Sequence, residues 1–118
     1  MKPTKISLYL VRGDFGTFKF TITETVRGKK KPVDLSGYDE IAMAIEVNEE
    51  STKYILVDPS DTDNNLIKGV FYIKIPIDIS GDFPEEESME YDIQLKDPSY
   101  RKTIVNGSIS VLSDINKT

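Results

Sequence analysis

The feature that most constrains the fold of this chain is a short run of alternating apolar and polar residues near its start. Phe18, Phe20 and Ile22 alternate with a lysine and two threonines. A period of two places the three apolar side chains on one face of an extended strand and the polar ones on the other. The pattern predicts a strand over about 15–24 with one face in a core.

The same alternation recurs along most of the chain of 118 residues. It predicts further strands over 6–11, 40–47, 53–57, 67–75, 89–96 and 101–112. Turn-forming residues separate these segments, and no helical periodicity of useful length occurs. We therefore predict one all-β domain over 1–118, an antiparallel immunoglobulin-like β-sandwich of about seven to eight strands, with 89–96 as a central strand.

The alternation also assigns a core, because the apolar members of each strand share one face. The predicted core is Phe18, Phe20, Ile22, Ile41, Met43, Ile45, Phe71, Ile73, Tyr91, Ile93, Leu95, Ile109 and Val111. Asn106 and Gly107 interrupt the last strand and admit two structures, a two-residue hairpin turn or a bulge with a close backbone approach. Val105, Gly107 and Ile109 fall at alternate positions of one continuous strand, which favours the bulge with a close backbone approach.

Composition excludes most kinds of catalytic site. The chain has no histidine, cysteine or tryptophan, so it lacks the usual general base near neutral pH, thiol nucleophiles and soft metal ligands. Its acidic pairs, such as Glu90 with Asp92, fall on predicted solvent faces, where nothing raises a pKa. No phosphate-binding or dinucleotide motif occurs. We predict a protein without catalytic activity, cofactor or metal.

Charge and hydropathy bear on the partners. The formal net charge of −5 argues against nucleic acid, which needs clustered basic residues. The one basic cluster, from Arg27 to Lys31, is interpreted as a solvated hairpin tip. No apolar run is long enough to span a bilayer, and no secretory signal precedes the domain. We expect a protein that is made soluble in the cytoplasm and has no membrane partner.

A partial calcium motif lies in the loop before the fifth predicted strand. Asp61, Asp63 and Asn65 match the first three ligand positions of an EF-hand loop. Leu66 stands where that loop needs glycine, and Tyr72 stands where it needs a bidentate glutamate. The calcium interpretation is therefore not favoured.

Several short sequence segments in a fixed order suggest a family. RGDFG at 12–16 leads into the first regular strand, PVDLSGY at 32–38 precedes the next, and EYDIQLKD at 90–97 and VNGSISV at 105–111 follow. Over roughly 5–113 the chain resembles the immunoglobulin-like domains of tailed-phage structural proteins. The resemblance is greatest to the N-terminal domain of baseplate upper proteins and to related tail or head-fibre attachment modules.

The resemblance implies a bacteriophage virion structural protein that acts by protein–protein docking in the baseplate, tail or head fibre. Its partners would be other virion structural proteins, in several copies on a symmetric assembly, and its location would be the virion. Baseplate upper proteins continue into a long assembly or receptor-binding region, whereas this chain stops at Thr118. That difference favours an adaptor or capsid decoration protein, or an isolated domain of a longer chain.

Docking is expected at unpaired strand edges, which a neighbouring chain can extend. The candidate interaction residues are Ile6, Leu8 and Tyr9 on the first strand, Val33 and Leu35 on a second edge, and Ala42 and Ala44 as a close-packed patch. The alternative function is a carbohydrate-binding or adhesin-type module on a cell or virion surface. For that function the RGD tripeptide, the calcium loop, or exposed aromatic platforms at Tyr9, Tyr54, Tyr72 and Tyr100 would matter.

Overall fold

The computed structural model describes residues 4–84 and 87–112, most of which lie in strands. The strands are β1 (Thr4–Lys5), β2 (Leu8–Val11), β3 (Gly16–Thr21), β4 (Thr23–Val26), β5 (Lys29–Pro32), β6 (Glu40–Asn48), β7 (Ser51–Leu56), β8 (Val70–Ile75), β9 (Ser88–Asp97) and β10 (Tyr100–Leu112). A 3₁₀ turn (Leu66–Lys68) precedes β8, and the short helix α1 (Ile77–Ser80) follows it. The prediction of an all-β, sandwich-like fold is confirmed.

The larger sheet has the strand order β2–β10–β9–β6–β7, with β1 beside the first half of β10. The predicted central position of β9 is confirmed, since it pairs with both β10 and β6. The β1 and β2 pairs with β10 are parallel, so the expectation of a purely antiparallel arrangement is wrong at this edge. Parallel neighbours need a long connection, and nearly the whole domain separates β2 from β10.

The smaller layer combines the β3–β8 pair with the β4–β5 hairpin. The predicted strand over 15–24 is divided at Ile22, whose N–H donates to the Gly69 carbonyl at 2.9 Å. The Ile22 carbonyl in turn accepts from the N–H of Val33 at 3.0 Å. One strand prediction thus becomes two strands that pair with different neighbours.

The core lies between the two layers. All predicted core residues are buried except Phe18, which is half-buried against the core. Phe20 and Phe71 face each other across β3 and β8, with ring centroids 5.4 Å apart. The alternation did not identify several fully buried residues outside the regular strands, among them Leu35 and Phe83. Their burial follows from loops that fold over the ends of the sandwich.

Strand β10 runs without interruption through Asn106 and Gly107, so the hairpin interpretation is wrong and the close-approach interpretation is confirmed. The Ile6 N–H donates to the Asn106 carbonyl at 3.0 Å. A Cβ added at Gly107 would lie 2.0 Å from the Ile6 carbonyl oxygen. The register irregularity in β10 lies elsewhere, between Thr103 and Val105. Glycine at 107 is what allows the Ile6 carbonyl to lie this close to β10.

Tyr91, the residue opposite Gly107 on β9, contacts the same carbonyl group. Its hydroxyl donates to the Ile6 carbonyl at 2.7 Å. The side chain is buried, and burial raises the pKa of Tyr91 to about 12. The phenol must therefore be protonated for this contact to form.

We expect the free energy of unfolding to fall as the pH rises from about 10 to about 12. The phenol ionises near 10.0 when unfolded and near 12 when folded, so its contribution is complete below pH 10 and is lost as pH approaches 12. The loss is about 1.4 kcal/mol per pH unit within that interval. Urea denaturation of the native protein and of Tyr91→Phe across this range measures it. Equal slopes for the two proteins would contradict the assignment.

Candidate functional site

The face of the larger sheet that points away from the core has no covering layer within the described chain. Residues aligned across β7, β6, β9 and β10 form three rows on this face. The rows are Leu56, Ala42, Gln94 and Thr103; Tyr54, Ala44, Asp92 and Asn106; and Thr52, Glu46, Glu90 and Ser108. The centre of the open face is therefore polar and acidic, while Tyr54 and Leu56 lie exposed at its β7 margin.

A groove of about 890 Å³ lies over the second and third rows. We call it the acidic groove and define it by Ala44, Glu46, Glu90, Asp92 and Asn106. The segment 5–7 forms one wall, because it lies along the edge of β10 between β1 and β2. The small side chain at Ala44 leaves the middle of the groove open.

Like charges face each other at one end of the groove. Glu46 and Glu90 are directly opposite on the neighbouring strands β6 and β9, and such pairs are destabilising. Neither carboxylate has an ion-pair partner in the described part of the chain. Lys5 is the basic residue of the lining, against three acidic ones. The groove therefore favours a positively charged ligand.

Two hydrogen-bond acceptors lie at the floor of the groove. Asp92 and Asn106 are opposite each other on β9 and β10, and the Oδ1 atom of each is buried without a hydrogen-bond partner among the described residues. Burial raises the pKa of Asp92, opposed by the nearby charges of Lys96 and Arg101, so the expectation that nothing raises a pKa on this face is wrong for Asp92. An unpaired buried acceptor costs about 1–3 kcal/mol. Each oxygen retains the capacity to accept a hydrogen bond.

Three of the residues predicted to form a docking surface have buried side chains. Leu8 faces the core in register with Ile109, Leu35 is fully buried, and only 4% of Ala42 is exposed. The side chains of these three residues are not available to a partner, which corrects their assignment. Leu8 shares its buried face of β2 with Leu10, whereas the burial of Leu35 depends on a loop.

The other four predicted residues are accessible in different places. Tyr9 is 66% exposed on the edge strand β2. Ile6 and Ala44 are partly buried and both line the acidic groove, whereas Val33 is partly buried in the other layer. The structure thus brings two of the seven predicted residues together. The N–H of Val33 is already bonded to the Ile22 carbonyl.

Tyr9 and Tyr54, the two most exposed tyrosines, do not lie together. Tyr9 and Tyr54 lie on the two edge strands of the larger sheet, with three strands between them. At about 4.8 Å per strand, that separation is roughly 19 Å. Tyr100 stacks on Tyr38 with a centroid distance of 6.0 Å, and Tyr72 is half-buried.

The loop that partly matches a calcium motif is occupied by an internal cation. The Lys74 ammonium contacts the Asp61 carboxylate and lies 3.6 Å from that of Asp63. The contact raises the pKa of Lys74 and lowers the pKa of Asp61. The described residues contain no group of three or more side chains of metal-ligand type. Lysine therefore neutralises the carboxylates that the motif would give to calcium.

A second charged feature is the β4–β5 hairpin, which we call the basic hairpin (residues 23–32). All eight of its strand residues are exposed. Arg27 and Gly28 form its two-residue turn, and both have positive φ values of 52° and 80°. This turn type prefers asparagine before glycine, and a side chain such as arginine costs about 1–2 kcal/mol in the left-handed region. The run of lysines in β5 gives no alternation, so the sequence did not predict β5 as a strand.

No protein-family model matches the chain, and no curated protein matches it. In the described ranges, no helix has the length and apolar character needed to cross a bilayer.

Proposed function

We propose that this chain is a non-catalytic structural protein of a bacteriophage virion, an adaptor or decoration domain that docks other virion proteins. The ordered phrases at 12–16, 32–38, 90–97 and 105–111 support it by their resemblance to tailed-phage immunoglobulin-like domains. The all-β, sandwich-like fold is consistent with that resemblance. The observation that carries the proposal is the open face of the larger sheet, which ends in exposed Tyr54 and Leu56 at one margin and Tyr9 at the other.

The acidic groove supports binding more than catalysis. Glu90 and Asp92 project from the same face of β9, about 7 Å apart along the strand. Glycosidases use carboxylate pairs near this spacing. Glu90 and Glu46 are both exposed, however, and the chain has no histidine or cysteine to assist a proton transfer. Unpaired acceptors beside opposed carboxylates are what a binding site for a basic group requires.

The test is the presence of the protein in purified virus particles. Particles from the source culture are banded on a density gradient, and peptides of this chain are quantified by mass spectrometry against the major capsid protein. We expect it to band with the particles in several copies each. The supernatant from the same gradient serves as the control.

Absence from the banded particles, with the protein recovered only in the supernatant, would contradict the proposal. Hydrolysis of a glycan by the purified protein, abolished in Asp92→Asn and retained in Lys30→Ala, would contradict its non-catalytic character. The alternative of a carbohydrate-binding module would be supported by glycan binding without hydrolysis.

A further inference from the structure

We propose that copies of this chain associate head to tail, with the basic hairpin of one copy seated in the acidic groove of the next. The inference deepens the proposed docking function and rests on it, because it names a second copy of this chain as a partner. Two features carry it independently. One is an exposed basic arm and the other is an acidic groove with unsatisfied acceptors.

The basic hairpin is built as a projecting arm. None of its strand residues is buried, so its side chains contribute little to the core of the domain. It carries Arg27 and three lysines at 29–31 against a single acidic residue, Glu24. Arg27 occupies a left-handed turn position where asparagine is preferred.

The acidic groove offers the complementary chemistry. Ammonium and guanidinium groups only donate hydrogen bonds, and the Oδ1 atoms of Asp92 and Asn106 only accept them. A cation between Glu46 and Glu90 would also relieve the repulsion of two carboxylates that lie opposite each other. Lys5 on the groove wall opposes part of this attraction, which still leaves an excess of acidic groups.

The dimensions and position of the two features fit an intermolecular contact. The groove spans β6, β9 and β10, about 10 Å across, and the four paired residues of each hairpin strand extend about 13 Å. The hairpin belongs to the smaller layer, while the groove faces away from the core on the larger one. The two features are thus attached to different layers of the molecule, and another copy can bring them together.

Such a contact uses different surfaces on the two partners. Each copy therefore keeps one free hairpin or one free groove after pairing, and the contact continues into a ring or a filament. Association in several copies follows from one type of contact.

The first measurement is sedimentation velocity of the purified chain over a range of concentrations. At low ionic strength, about 0.05 M, we expect the weight-average sedimentation coefficient to rise with concentration. At about 0.5 M salt, the charges are screened and the monomer should predominate. A monomer at every concentration and both ionic strengths would overturn the proposal.

The second measurement uses two charge-reversal variants. A hairpin variant carries Lys29→Glu, Lys30→Glu and Lys31→Glu, and a groove variant carries Glu46→Lys and Glu90→Lys. Each alone should associate at least about tenfold more weakly than the native chain. An equimolar mixture should regain association, because the acidic hairpin of one fits the basic groove of the other. Association that persists in either variant alone, or fails in the mixture when both melt as folded proteins, would overturn it.

Arg27→Asn is a control for which the melting temperature and the strength of association should change in opposite directions. Asparagine suits the turn, so the melting temperature should rise, while the lost charge should weaken association by about two- to threefold. Unchanged association would show that Arg27 makes no intermolecular contact and would count against the proposal. Virion incorporation is measured separately, so a chain found in particles but monomeric in these experiments would refute only the head-to-tail contact.

Discussion

Replacement of Phe71 by alanine is expected to lower the free energy of unfolding by about 3–5 kcal/mol. Phe71 is fully buried in β8, where its ring stacks on that of Phe20. Truncation removes the buried ring and leaves a cavity that the two layers cannot close, because strands on both sides are held in their ladders. Urea denaturation followed by far-ultraviolet circular dichroism measures the change.

Phe15→Ala is the matched control, since the same ring is 56% exposed just before β3. Its effect should lie within about 0.5 kcal/mol of zero. If both substitutions had the same small effect, the burial of Phe71 between two layers would be wrong.

Replacement of Gly107 by alanine is expected to destabilise the protein by about 3 kcal/mol, the upper part of the usual range for overpacking. The new methyl group would overlap the Ile6 carbonyl oxygen, and a backbone atom has less freedom to move aside than a side chain. The segment 4–11 should separate from β10 as a result. Hydrogen exchange measures this directly, as a loss of protection at the amides of β2.

Gly37→Ala tests the same chemical change where there is space. A Cβ at Gly37 meets no atom within 4 Å, so the substitution should be neutral or slightly stabilising. Similar stability for the two alanine variants would show that the Ile6 carbonyl does not lie against Gly107.

Local alternation was sufficient to predict the strands that form the core. Phe20, Met43 and Ile93 are buried as predicted. Their burial could be predicted because a period of two is recognised from near neighbours in the sequence. The parallel edge was not predicted, because nothing near Leu8 indicates that it will pair with Ile109. Pairing between residues so far apart in the sequence depends on the folding of the whole sheet.

The acidic groove could not be predicted from the sequence either, because its residues come from separate strands. Glu46 and Glu90 each read as an ordinary solvent-facing residue of a separate strand, and only the β6–β9 register places them opposite each other. Asp92 and Asn106 likewise meet through the β9–β10 register. Ala44 was predicted to contribute to a surface through its small side chain, and the structure places it in this groove.

The parallel strands at the sheet edge also determine how the domain responds to mechanical load. A pull that separates Thr4 from Leu112 acts along β1 and β2 in one direction and along β10 in the other. The pairs from Thr4–Val105 to Val11–Leu112 then resist as a set, because the load shears them together and does not open them one at a time. A chain tethered through these two strands would therefore bear tension along its strongest axis.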